Sequence, residues 1–181
     1  DFNACRPFLL SVVVPVYNEI QVLPQFMERL TVVLESIKQP YEILLVDDGS
    51  TDGSGDMMQR FVLSMPSVRV IWLSRNFGKE AAVTAGLAEA KGDAAVLIDA
   101  DLQDPPELIP EMVDNWRDGA DMVCMRRRSR AGENWFKCTS ASLFYRLLNR
   151  ISRFDIPPDT GDFRLMSRRV LNALNRLPER N

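Results

Sequence analysis

Apolar residues along the chain fall into short β-branched runs that alternate with stripes at helical spacing. Residues 9–16 (LLSVVVPV) are apolar at nearly every position, the pattern of a strand buried on both faces. In 22–37, Leu23, Phe26, Met27, Leu30, Val33, Leu34 and Ile37 recur every three or four residues, which predicts an amphipathic helix. Further strands are predicted at 42–46 (EILLV), 68–73 (VRVIWL), 94–98 (AAVLI) and, with a weaker pattern, 121–125. Met57, Met58, Phe61 and Val62 mark a second helix, and 80–90 a third. Asp104 followed by Pro105 and Pro106 predicts a capped helix start. A long helix over 135–153, an apolar segment at 163–166 and a last helix over 168–177 complete the pattern.

Strand and helix alternating four times predict an α/β fold, a Rossmann-like and mainly parallel sheet with helices on both faces. Ligands of such sheets bind at the carboxyl ends of the strands. The residues just past each strand are Tyr17, Asn18 and Glu19; Asp47 and Asp48; Arg75 and Asn76; Asp99, Asp101 and Gln103; and Arg126, Arg127, Arg128 and Arg130. Asp99-Ala100-Asp101 is the sharpest feature, because two carboxylates behind a buried strand can converge on one hard divalent cation, with Gln103 adding a neutral oxygen. The same tripeptide also suits a solvated acidic turn. Asp47 and Asp48 suit a ribose or base hydroxyl, or a simple D-D-G-S turn. The Arg126–Arg130 cluster suits a diphosphate, or a basic loop.

Composition removes whole classes of chemistry. The 181 residues contain no His, so Ser-His-Asp triads, Cys-His dyads and His-based metal motifs are excluded. Cys5, Cys124 and Cys138 form no C-x-x-C pair, which argues against a disulfide framework, a zinc ribbon or a redox dithiol. There is no G-x-x-x-x-G-K-[ST], and 53–58 (GSGDMM) lacks the third glycine of a dinucleotide fingerprint. The longest apolar run is too short to span a membrane, and no leader with a cleavage site precedes it.

The net charge of −3 hides an asymmetry. Residues 1–125 carry 9 Lys/Arg and 20 Asp/Glu, a balance of −11, whereas 126–181 carry 13 and 5, a balance of +8. The acidic part suits a cation and the basic part an anion or an acidic membrane surface. In 135–153, Leu143, Phe144, Leu147, Leu148 and Ile151 form an apolar stripe beside Arg146, Arg150 and Arg153, which suits either an interfacial helix or one packed on the core. Aromatic residues are not interleaved with the basic ones in the way nucleic-acid binding asks, so no nucleic-acid partner is expected.

Taken as a set, 11–19 (SVVVPVYNE), 42–54 (EILLVDDGSTDGS) and 99–103 (DADLQ) resemble the family 2 glycosyltransferases of GT-A fold, and among them the polyprenyl-phosphate glycosyltransferases. The stretches 74–86 (SRNFGKEAAVTAG), 104–106 (DPP) and 161–169 (GDFRLMSRR) resemble the bactoprenol glucosyltransferase subgroup. The resemblance implies a single GT-A catalytic domain over 1–181, cut short of membrane helices carried by longer relatives. It implies that Pro15, Tyr17, Glu19, Val46 and Asp48 hold the base and ribose of a nucleotide sugar. Asp99, Ala100, Arg127 and Arg130 would line its diphosphate. Asp99, Asp101 and Gln103 would hold Mg²⁺ or Mn²⁺, with Asp101 also counted as catalytic. Asp162 matches a catalytic aspartate, either as base or as an orienting group.

The implied reaction moves a hexose, glucose first among them, from a UDP-sugar to undecaprenyl phosphate with inversion. Mannose from GDP-mannose and a modified pentose are the alternatives. The implied partners are the nucleotide sugar, the polyprenyl phosphate, the membrane surface at the cytoplasmic face, and a further copy of the chain in the full-length protein. A haloacid-dehalogenase-type phosphatase, with Asp99 as nucleophile, and a non-catalytic nucleotide-sugar-binding module are the rival classes.

Overall fold

The computed structural model describes residues 6–126, 137–138 and 160–176. Seven strands are found among them: β1 (Leu10–Val16), β2 (Tyr41–Asp47), β3 (Val68–Trp72), β4 (Ala94–Leu97), β5 (Met122–Arg126), β6 (Lys137–Cys138) and β7 (Thr160–Ser167). The helices described are α1 (Leu23–Ile37), α2 (Ser54–Ser64), α3 (Lys79–Glu89), α4 (Ile109–Arg117) and α5 (Arg168–Leu174), with a 3-10 turn at Pro106–Leu108 ahead of α4. The strands form one sheet in the order β3-β2-β1-β4-β7-β5-β6.

β3, β2, β1 and β4 are parallel, as the alternation predicts. β7 is antiparallel to both β4 and β5 and lies between them. Its amino end therefore sits at the edge where the parallel strands have their carboxyl ends. The apolar segment at 163–166 is thus an interior strand. β6 pairs antiparallel with the far side of β5, Met122 opposite Cys138 and Val123 opposite Lys137. This corrects the helix predicted over 135–153 at those two residues, where pairing with an open sheet edge overrides local helical periodicity. The rest of that span lies outside the described residues.

The burial pattern shows why the early strands read as continuous apolar runs. Val12, Val14 and Val16 of β1 pack under α1 and α4 together with Phe26, Leu30, Ile109 and Met112. Val13 points the other way and joins Leu44, Val46, Ala82, Leu87 and Val170 beneath α3 and α5. Two cores, one on each face of the sheet, leave no side of β1 or β2 for water. The stripe predicted for the first helix is the buried face of α1, from Leu23 to Leu34. Asp104, predicted to cap the helix after β4, is buried one position before the cap, which Pro105 fills ahead of the 3-10 turn.

The amino end of the sheet is tied by polar groups. Glu42 accepts hydrogen bonds from the Ser11 hydroxyl (2.7 Å), the Lys91 backbone (2.7 Å) and Arg69 (3.0 Å). Burial pushes the Glu42 carboxyl up, but these donors together outweigh it and hold it below its ordinary range. Arg168 donates to the carbonyls of Ala90 and Gly92 and so fastens the start of α5 to the turn before β4.

Candidate active site

The carboxyl ends of β1, β2 and β4 and the amino end of α3 enclose an open cleft of about 320 Å³. Pro15, Val16, Tyr17 and Glu19 line it from β1 and the following loop, Asp48 from β2, and Asp99, Ala100 and Asp101 from β4. Asn76, Gly78, Lys79 and Ala82 close it from the side of α3.

The loops are set by their own polar residues. Asn18 donates its N–H to the Ser50 hydroxyl (3.0 Å), and its side-chain oxygen accepts the Thr51 N–H (2.8 Å). Glu19 donates its N–H to Ser54 Oγ (2.9 Å), and Asp52 accepts the N–H groups of Ile20 (3.1 Å) and Ser54 (2.9 Å). The polar run 47–54 thus stitches the loop after β1 to the loop after β2. Gly49 has φ +74°, and a Cβ there would come within 2.7 Å of the Arg75 and Asn76 backbone. Only glycine lets this turn lie against the loop after β3.

Asp48 is 3% exposed. Its two carboxylate oxygens accept the N–H groups of Phe77 (2.7 Å) and Gly78 (3.0 Å), and Gly78 is the N-cap residue of α3. Asp48 lines the cleft as predicted, and in this structure its carboxylate holds the start of α3 in place. Lys79, the first residue of α3, reaches across the cleft. Its Nζ lies 2.6 Å from Asp99 Oδ2 and 2.6 Å from Asp162 Oδ2. Asp162 also accepts a bond from Arg164 (3.0 Å). The Lys79 ammonium, with Arg164 adding to it, holds the Asp162 carboxyl below the usual carboxylate range. Burial works against the Lys79 charge, but bonds to Asp162 and Asp99 outweigh it and raise Lys79 above its ordinary value.

The acidic wall fits a divalent cation by its chemistry. Burial pushes the Glu19 carboxyl up, and the negative charges of Asp101, Asp52 and Asp99 push it further. A cation relieves that mutual repulsion. Among the described residues no three carboxylates or thiols stand close enough to hold a metal alone. Mg²⁺ and Mn²⁺ ordinarily take one or two carboxylates and complete their shells with water and phosphate oxygens. Asp99 and Asp101 are the donors available, while Gln103 is exposed on the same loop, its N–H donating to Asp101 Oδ1 (3.0 Å).

Of the predicted site residues, Pro15, Tyr17, Glu19, Asp48, Asp99, Ala100 and Asp101 meet at this cleft. Asp162 joins them through Lys79. The Val46 side chain does not meet them: it is fully buried in the core beneath α3, because side chains alternate along β2. Arg127 and Arg130 lie outside the described residues. Lys79 was not among the predicted site residues. The signal for it in the sequence is a lysine opening a helix, where the dipole disfavours a cation and acidic partners offset that cost.

An acidic cleft at the carboxyl edge of an α/β sheet is where this class of fold places its ligands, and here an aspartate is brought in beside it on an antiparallel strand. Residues 11–174 match the model of Glycosyl transferase family 2, and the chain belongs to that family. An uncharacterized glycosyltransferase of Synechocystis is 50% identical over 171 residues, 94% of this chain and 54% of that protein. The bactoprenol glucosyl transferase of Shigella phage SfV is 43% identical over 172 residues, 95% of this chain and 56% of that protein. The chain thus spans about half the length of the curated relatives it matches. The solved structure of a Pyrobaculum calidifontis mannosyltransferase in complex with GDP-Man and Mn²⁺ superposes with a TM-score of 0.63 at 21% identity, covering 95% of this chain and 48% of that one. That likeness bears out the GT-A fold. The D-x-D follows the fourth strand of this fold, not the first strand as a phosphatase of the rival class requires.

Proposed function

We propose that this protein transfers a hexose, with glucose as the leading candidate, from a UDP-sugar to a polyprenyl phosphate such as undecaprenyl phosphate. The reaction would run at the cytoplasmic face of a membrane, with Mg²⁺ or Mn²⁺ and with inversion at the sugar carbon. The observation that supports this most is the meeting of Asp99, Asp101 and Glu19 with Asp162 at one cleft, in a chain related to the bactoprenol glucosyl transferases.

The reaction asks little of a general base. The second pKa of a phosphate monoester is near ~6, so the acceptor oxygen is already anionic at neutral pH. The absence of His from these 181 residues suits such an acceptor. The heavier demand is the charge on the departing diphosphate. Asp99 and Asp101 would hold a divalent cation, which would supply positive charge there. Tyr17 and Glu19 face the same cleft from β1 and suit the base and ribose. Asp162 is held ionised by Lys79 and Arg164, which makes it a weak proton acceptor and favours the orienting role over the base.

The test is transfer of label from UDP-[¹⁴C]glucose, and separately from GDP-[¹⁴C]mannose, to undecaprenyl phosphate with each metal. Label in the lipid phase from UDP-glucose, with UDP released, is the expected result. Label only from GDP-mannose changes the donor and keeps the reaction. No lipid-linked label from any nucleotide sugar contradicts the proposal. Asp162→Asn is expected to lower kcat about a hundredfold while leaving UDP affinity within about twofold, as fits a group that orients the reacting atoms.

A further inference from the structure

The register of β4 on β7 sets two carboxylates against each other. Leu97 pairs with Arg164. Continuing that register two residues past Leu97, and two residues back from Arg164, brings Asp99 opposite Asp162. Side chains two apart share a face of a strand. Leu97 belongs to the core beneath α3, so this pair faces α3. Like charges opposed across a sheet repel. Lys79 fills the interval, its Nζ 2.6 Å from each carboxylate. It does so from the first residue of α3, where the helix dipole disfavours a cation. Neither partner is local, Asp99 being 20 and Asp162 83 residues away in sequence. The backbone on which Lys79 stands is fixed by Asp48, through the N–H groups of Phe77 and Gly78.

We propose that Lys79 is the resident cation of the site: in the nucleotide-free protein it occupies the interval between Asp99 and Asp162, competes with a divalent cation for Asp99, and so makes metal binding depend on the donor diphosphate. The proposal rests on Asp99 being a metal ligand. An Asp99 oxygen bonded to an ammonium is less available to a metal. An arriving diphosphate adds enough negative charge for the cleft to hold two cations, the metal with Asp99 and Asp101, and Lys79 with Asp162. Lys79 is thereby a positioning residue for Asp162 as well, and it ties the order of ligand binding to the geometry of the reacting groups.

The test is Mn²⁺ affinity, read from the electron paramagnetic resonance of free Mn²⁺, with and without UDP. The proteins are the wild type, Lys79→Met, Lys79→Arg and Asp101→Asn. The wild type is expected to bind Mn²⁺ weakly alone and more tightly with UDP. Lys79→Met is expected to bind Mn²⁺ without UDP about fivefold more tightly than the wild type, the scale set by the one partly exposed ion pair to Asp99 that the metal must displace. Lys79→Arg keeps the charge and the wild-type behaviour. If Lys79→Met does not fold, Lys79→Gln gives the same comparison with the charge removed and a donor kept. Equal Mn²⁺ affinity of wild type and the neutral variant without UDP overturns the inference. If the wild type then still shows UDP-dependent binding that Asp101→Asn loses, the reading of the metal site survives. Absence of Mn²⁺ binding by the wild type with UDP overturns both.

Discussion

Asp48 shows how one residue can serve two levels of organisation. It stands at the end of β2, lines the cleft, and anchors the start of α3 with both carboxylate oxygens. Its place in the cleft was legible from the D-D-G-S that stops a buried strand. Its anchoring role was not, since Phe77 and Gly78 lie beyond an intervening helix and strand. Lys79 was missed for the same reason: its partners at 99 and 162 meet only once β7 has inserted beside β4. Glu42, at the opposite end of the sheet, gives a stability test at the same scale. Glu42→Gln leaves Arg69 short of a buried charge partner and is expected to cost about 2 kcal/mol near pH 7. The folded carboxyl titrates below its unfolded value of ~4.3. Its contribution is therefore complete above that value and is lost as pH falls through the lower folded one. Urea midpoints of wild type and variant are expected to differ at pH 7 and to converge only once the pH has fallen through the depressed Glu42 value, below that of an ordinary glutamate. A difference that persists unchanged at low pH would contradict the assignment.

At the scale of elements, the early strands were the most legible. They are buried on both faces, so nearly every residue had to be apolar, and helix α1 shows one clean stripe. The first four strands fall within a residue of the predicted runs at either end. β6 and β7 were the least legible. Two residues carry no periodicity, and β7 owes its place to partners on either side rather than to its own pattern. Packing of α3 is tight where Gly86 meets the sheet: a Cβ there would run into the Val13 and Val46 side chains. Gly86→Val is expected to push α3 outward, costing about 2–3 kcal/mol by overpacking. That corresponds to a fall in Tm of roughly 5–10 °C for a domain of this size. Because α3 carries Lys79 and Ala82 into the cleft, UDP affinity is expected to fall as well. A variant with wild-type Tm and affinity would show that α3 does not need this close approach.

For the molecule as a whole, the sheet gathers at one edge what the sequence scatters over 148 positions, from Pro15 to Asp162. Part of the acidic balance of residues 1–125 has a physical place in that cleft, where burial and then the charges of Asp101 and Asp99 raise the Glu19 carboxyl. Among the described residues no helix is long and apolar enough to cross a membrane. The proposed lipid acceptor rests instead on the family and on relatives about twice as long. The carboxyl edge is proposed to bind a nucleoside diphosphate through a metal held by the D-x-D. Calorimetric titration of UDP into the protein with Mn²⁺ present, set beside the same titration of Asp101→Asn, tests it most directly. One site is expected in the wild type, with at least about a tenfold loss of affinity in the variant. Equal affinity in the two proteins, or no binding of UDP or GDP to the wild type, would contradict it.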